Sequence, residues 1–119
     1  MKRIKTLKLN YEFKNVFTKG KFFYGKQIIM YVYKNKFGYN RFGVAINKKL
    51  CKAVKRNRIK RVIRASYQEI NKNEVNQGFD IVFIWNKKEN IENLDYKIIL
   101  EDMKKSFKKA GLLSEKVSD

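Results

Sequence analysis

The chain has 119 residues, 44% of them apolar, with no proline, no histidine and a formal net charge of +18 at pH 7. That length suits one domain with a real core, and the apolar share argues against global disorder. The charge exceeds what solubility needs and implies a polyanionic partner, while the absence of histidine and the single Cys51 leave no base–nucleophile pair for a papain-like catalyst.

In chain order, Met1-Lys2-Arg3-Ile4-Lys5 is basic but leads into no apolar core of a signal peptide. No apolar run nears the roughly 18 residues that span a bilayer. Together with an unpaired cysteine this gives the expectation of a cytoplasmic protein. Residues 1–9 and 112–119 are expected to be mobile tails of one domain covering 1–119. Asn10 is expected to cap a helix running to Lys19, with Phe13, Val16 and Phe17 on one face and Gly20 as a left-handed stop. Phe22 to Lys34 reads as one strand bent at Gly25, followed by a turn at Asn35–Asn40 and a returning strand from Arg41 to Lys48. A helix then spans about Lys52 to Asn71. Gln77 to Asn86 reads as a strand buried on both faces, and Asn93 caps a last helix to Ala110, stopped by Gly111. The predicted fold is an α/β sandwich of order α-β-β-α-β-α, with a mixed, mainly antiparallel sheet of three to four strands and three helices.

The charge is placed, not spread. Residues 1–68 hold 20 Lys or Arg against one acid, Glu12, whereas residues 69–119 hold nine against ten. Four of the six arginines fall between residues 56 and 64, in a chain that otherwise prefers lysine. The guanidinium fork makes paired bonds to phosphate and stacks on rings, which a lysine point charge does not.

On a helical wheel, Ile59, Ile63, Ser66, Tyr67 and Ile70 share an arc of about 100°, the width of a core-facing stripe. Asn57, Lys60, Arg61, Arg64 and Gln68 form the opposite stripe. Seven cations, from Lys52 to Arg64, precede the first acid of this helix, Glu69. Cations near a helix N-terminus oppose its macrodipole, and like charges four residues apart repel. A merely solvated face would interleave acids, so the row is read as a surface for an anionic ligand. Charge alone does not choose between DNA and RNA.

Aromatics add to the reading: nine Phe, seven Tyr and one Trp. Around Tyr31, strand alternation sets Ile28, Met30 and Val32 against Ile29, Tyr31 and Tyr33. One set suits the core; the other suits an open face where rings stack on unpaired bases. Alternation leaves open which set is wet.

The string Lys48-Lys49-x-x-x-Ala53-Val54-x-Arg56-Asn57-Arg58-Ile59-Lys60-Arg61-x-Ile63-Arg64 closely resembles the signature of the bacterial ribonuclease P protein subunit. Phe13-x-x-Val16-Phe17-x-x-Gly20, Gln27-Ile28-Ile29-Met30-Tyr31 and Arg41-x-Gly43-x-x-Ile46 are similar to that family too, so the resemblance covers roughly residues 7 to 110. It implies a non-catalytic subunit of an endoribonuclease whose RNA, with Mg²⁺ bound mainly by that RNA, removes the 5′ leader of precursor tRNA by hydrolysis. It implies that Arg56, Asn57, Arg58, Lys60, Arg61 and Arg64 contact the catalytic RNA. Phe13, Phe17 and Tyr31 would line a cleft for the single-stranded leader. The implied partners are ribonuclease P RNA and precursor tRNA, with no membrane and no obligate protein partner. The resemblance also implies a left-handed crossover through the basic helix, against the right-handed general rule.

Two departures stand out. Cys51-Lys52 precedes Ala53-Val54 where the family tends to Gly-Asn, and Trp85-Asn86-Lys87-Lys88 stands where it tends to Arg and Pro, so no binding residue is carried into that loop. A self-contained nuclease is disfavoured, because Asp80, Glu101 and Asp102 do not suggest the clustered carboxylates that metal-dependent hydrolysis needs. A ribosomal protein or general RNA chaperone is the binding alternative, set behind by the arginine motif and its place after a hairpin.

Overall fold

The computed structural model describes residues 4–113; the expected tail segments 1–3 and 114–119 lie outside the described residues. Among the described residues five strands form one mixed sheet: β1 Lys5–Thr6, β2 Lys21–Tyr24, β3 Ile28–Lys34, β4 Arg41–Val44 and β5 Phe79–Trp85, in the order β1-β4-β5-β3-β2. Among the described residues three helices accompany them, α1 Asn10–Lys19 between β1 and β2, α2 Ala53–Ile70 between β4 and β5, and α3 Tyr96–Lys109 after β5, with one 3-10 turn at Ile91–Asn93. β1 with β4 and β4 with β5 run parallel, while β5 with β3 and β3 with β2 run antiparallel. The sheet is thus larger and less antiparallel than expected.

Two strands account for the difference. Lys5 and Thr6, expected in a tail, pair with Arg41 and Phe42, and Leu7 beside them is buried. The other comes from the segment Phe22 to Lys34, which is a hairpin and not one bent strand. Its turn is held from a distance: the Asp102 carboxylate accepts from the backbone N–H of Lys26, Gln27 and Ile28 at 2.9, 2.7 and 3.2 Å. The buried Gln27 side chain then donates to the Asn93 carbonyl and accepts from the Asp95 N–H. Leu112 and Leu113, also expected in a tail, are buried in the main core.

The sheet is covered on both faces. Ile28, Met30 and Val32 of β3, with Ile81, Phe83 and Trp85 of β5, pack with the buried stripes of α2 and α3. The residues between them on the other face, Tyr31, Tyr33 and Val82, pack with Leu7, Phe13 and Val16. β5 is the middle strand and its Ile81, Val82 and Phe83 are fully buried, as its unbroken apolar run requires. In α2 the buried residues are Ile59, Ile63, Ser66, Tyr67 and Ile70, the stripe read from the sequence. Tyr67 stacks on Phe42 at 4.5 Å between ring centres, and burial pushes its phenol up to about 12.

The helix ends differ from expectation in instructive ways. Glu12, not Asn10, closes the start of α1, accepting from the N–H groups of Lys8 and Leu9, each at 2.8 Å. Asp95, not Asn93, caps α3 by accepting from Lys97 N–H. Gly20 is extended rather than left-handed. Its lack of a side chain serves closeness instead: a Cβ there would lie 2.6 Å from the Val32 carbonyl oxygen. That contact seats α1 on β3.

Candidate nucleic-acid interface

Anchored through its apolar stripe, α2 turns Asn57, Lys60, Arg61, Arg64 and Gln68 to the exterior, and all five are exposed. Its first turn has no acid and its N-cap, Lys52, makes no capping hydrogen bond with its side chain. The one ion pair made by its cations among the described residues is Lys55 with Glu92, which holds that carboxyl below its ordinary value. Arg58, Lys60, Arg61 and Arg64 have no carboxylate within 4.0 Å among the described residues.

These cations are not one surface. Asn57, Lys60, Arg61 and Arg64 line a groove of about 790 Å³ whose other wall includes Phe13, Phe42, Gly43 and Val44. Gly43 matters here, because a Cβ would meet the Phe13 ring at 2.7 Å and push α1 off β4. Arg58 lies elsewhere, lining a small hollow with Lys55, Ile91, Glu92 and Leu94. Arg56 is engaged within the chain: its guanidinium donates to the carbonyls of Cys51 at 2.5 Å and Lys48 at 3.1 Å. It shapes the loop that leads into α2, the loop where the sequence departs from the family pattern. Among the six basic-motif residues, then, the structure gathers four into one groove and sets two apart.

The aromatic candidates lie along α1 and the sheet. Phe13 and Phe17 stand one helical turn apart, Phe13 at the groove and Phe17 edge-on to Tyr31 at 4.9 Å. The structure adds two rings that the sequence reading missed. Phe22 is the direct cross-strand partner of Tyr31, with centres 5.8 Å apart, and Tyr24 meets Phe22 at 5.3 Å. Reading Phe22–Lys34 as one strand hid this pairing. The signal available was Gly25-Lys26-Gln27 between two β-rich runs, a turn in place of a bend.

A second hollow adjoins the groove, lined by Lys5, Lys8, Glu12, Tyr39, Arg41, Arg64 and Gln68. Arg41 donates to both Asp80 oxygens at 2.8 and 2.7 Å and to Glu12 at 2.6 Å, and packs 4.3 Å from the Phe37 ring centre. Its hydrogen bonds to Asp80 hold its proton more tightly than usual. Glu12 is held below its ordinary value, first by the N–H of Leu9, then by that of Lys8, with Arg41 adding to both. The one acid of residues 1–68 is therefore neutralised where it faces the hollow. No group of three or more His, Cys, Asp or Glu among the described residues is placed to hold a metal ion. No helix among them is long and apolar enough to cross a membrane.

The chain is similar to known proteins over nearly its whole length. Residues 1–111 match the family described as Ribonuclease P. A ribonuclease P protein component of Fusobacterium nucleatum is 42% identical over 110 residues, covering 91% of this chain and 98% of its own. The ribonuclease P protein of Staphylococcus aureus superposes with a TM-score of 0.76 at 27% identity, covering 92% of this chain and 98% of that one. That of Thermotoga maritima does so with a TM-score of 0.76 at 32% identity, covering 88% and 96%.

Proposed function

Because the chain belongs to the family of bacterial ribonuclease P protein components, we propose that it binds the catalytic RNA through the groove face of α2 and the 5′ leader of precursor tRNA through the rings beside it. The observation that carries this is the row Lys60, Arg61 and Arg64, exposed, without a carboxylate partner among the described residues, and set in one groove with Phe13. Cations left unpaired on a docked helix suit crowded phosphates. The rings of Phe17 and Tyr31, 4.9 Å apart and one turn of α1 from Phe13, suit unpaired bases.

The division of labour follows from the residues. Lys60, Arg61 and Arg64 neutralise phosphates, so the RNA folds its active centre at lower Mg²⁺. The chain's own groups do not fit a Mg²⁺ site in this region: its walls are cationic, and Glu12 is taken up by Arg41 and two N–H groups. The metal and the hydrolytic step belong to the RNA, and the chain contributes no catalytic residue. Arg56 acts through the loop it ties, and Arg58 contacts RNA from the other flank of α2. Phe13, Phe17 and Tyr31 add contacts that mature tRNA, lacking a leader, does not make, so precursor binds more tightly than product. The setting is the cytoplasm.

The test is cleavage of a 5′-extended precursor tRNA at low Mg²⁺ by a bacterial ribonuclease P RNA, with and without the chain. Stimulated 5′ maturation, with the chain inert alone, is the expected result. Binding without stimulation would move a general RNA chaperone ahead, and cleavage by the chain alone would overturn the non-catalytic reading. Within the assembled enzyme, Tyr31→Ala should weaken precursor binding and leave mature tRNA binding unchanged.

A further inference from the structure

The line of rings does not stop at Tyr31. Phe22 and Tyr24 project from the edge strand β2 on the face that carries Tyr31, and they are 53% and 67% exposed. Phe23 between them is the one that turns into the main core. Phe17, Tyr31, Phe22 and Tyr24 form a succession in which each ring centre lies within 5.8 Å of the next. Folding does not call for the outer two. Large bare rings on an edge strand invite aggregation, and natural sheets usually blunt such edges.

The charge around the strip says what could cover it. Lys19 and Lys26 flank β2 and Lys21 opens it, all exposed, while the Asp102 carboxylate at the turn is buried and taken up by the N–H groups of Lys26, Gln27 and Ile28. A second copy of this chain would bring its own +18 against these lysines. A ligand with negative backbone charge and flat apolar faces suits both features, and unpaired nucleotides have both.

We propose that Phe22 and Tyr24 are a stacking platform for unpaired nucleobases, extending the leader path from Tyr31 to the β2 edge. The proposal rests on the leader reading above and adds to it a dependence on leader length. Nucleotides next to the cleavage site are held at Phe17 and Tyr31; those farther upstream reach Phe22 and then Tyr24. A base paired within a helix has no free face to offer, so only a single-stranded leader long enough to arrive there gains from the platform.

The experiment measures Kd for the assembled enzyme, made with a bacterial ribonuclease P RNA, on precursor tRNAs whose leaders lengthen one nucleotide at a time. Wild type is compared with Phe22→Ala/Tyr24→Ala, Phe22→Leu/Tyr24→Leu and Tyr31→Ala. Both double variants should match wild type on short leaders and lose about fivefold or more on long ones, the low end of what base stacking contributes. The leucine pair keeps apolar bulk without a ring, so its loss reads stacking and not folding. Tyr31→Ala should lose affinity at every length. If the double variants follow wild type at all lengths while Tyr31→Ala does not, the platform is refuted and the leader reading stands. If Tyr31→Ala also changes nothing, both fall. Equal losses on mature tRNA and every precursor would overturn the platform, as would a wild-type chain that self-associates in sedimentation and becomes monomeric in the double variants.

Discussion

Arg41 and Arg64 line the same hollow, yet their surroundings are opposite. Arg41 has its side chain 15% exposed and shares two carboxylates, Asp80 and Glu12, whose side chains are 6% and 12% exposed. Arg64 is exposed and has no carboxylate within 4.0 Å among the described residues. Charge used to join elements is matched inside the fold: Arg41 ties β4 to its register partner on β5 and to the first turn of α1. The charge proposed to meet RNA is left unmatched, and α2 carries it at some cost in repulsion.

Removing each kind of charge should separate the two roles. The largest effect is expected at Arg41: Arg41→Met leaves Asp80 and Glu12 without their common partner and should lower stability by about 3–5 kcal/mol, read by urea unfolding. An Arg41→Met chain as stable as wild type would break the comparison. The same knot has a pH signature. Glu12 titrates below its ordinary value of 4.5 in the folded chain. Its contribution is therefore complete above that value and is lost as pH falls through the lower, folded one. Glu12→Gln should flatten the acid limb of a stability–pH curve, and an unchanged limb would count against the knot.

Smaller effects sharpen the contrast within α2. Arg56→Lys keeps the charge but withdraws the one guanidinium nitrogen, Nη1, that donates to both carbonyls, and should cost about 1–2 kcal/mol in thermal unfolding. Lys52→Asp puts an acid and a capping side chain at the start of α2. It should raise stability by about 1 kcal/mol while weakening RNA binding, a gain and a loss in one variant. Weakened binding without gained stability would mean the cation row is not a strain on the helix.

What the sequence made legible was local. The two stripes of α2 follow from a period of 3.6, and the buried set in the structure is the set read from the wheel. What it hid was held by distant partners. The hairpin at Gly25–Gln27 depends on Asp102, about 75 residues away in the chain; β1 depends on two residue pairs with β4. Without those partners, Phe22 and Tyr24 read as part of a longer strand and Lys5 as part of a tail. For the same reason the arginines could not be sorted beforehand: Asp80, which separates Arg41 from Arg64, lies 39 residues from Arg41 in the chain. The caps slipped by one residue at α1, where Leu9 precedes Asn10 as the N-cap, and by two at α3, where Asp95 stands in place of Asn93.

The salt dependence of binding to a bacterial ribonuclease P RNA tests the unmatched row most directly. Arg61→Ala/Arg64→Ala should keep wild-type stability to within about 0.5 kcal/mol. Its plot of log affinity against log salt should be shallower by about 0.7–0.9 for each phosphate left without its cation. A slope equal to wild type would contradict the account, because it would mean that these two arginines, though exposed in the groove, face no phosphate.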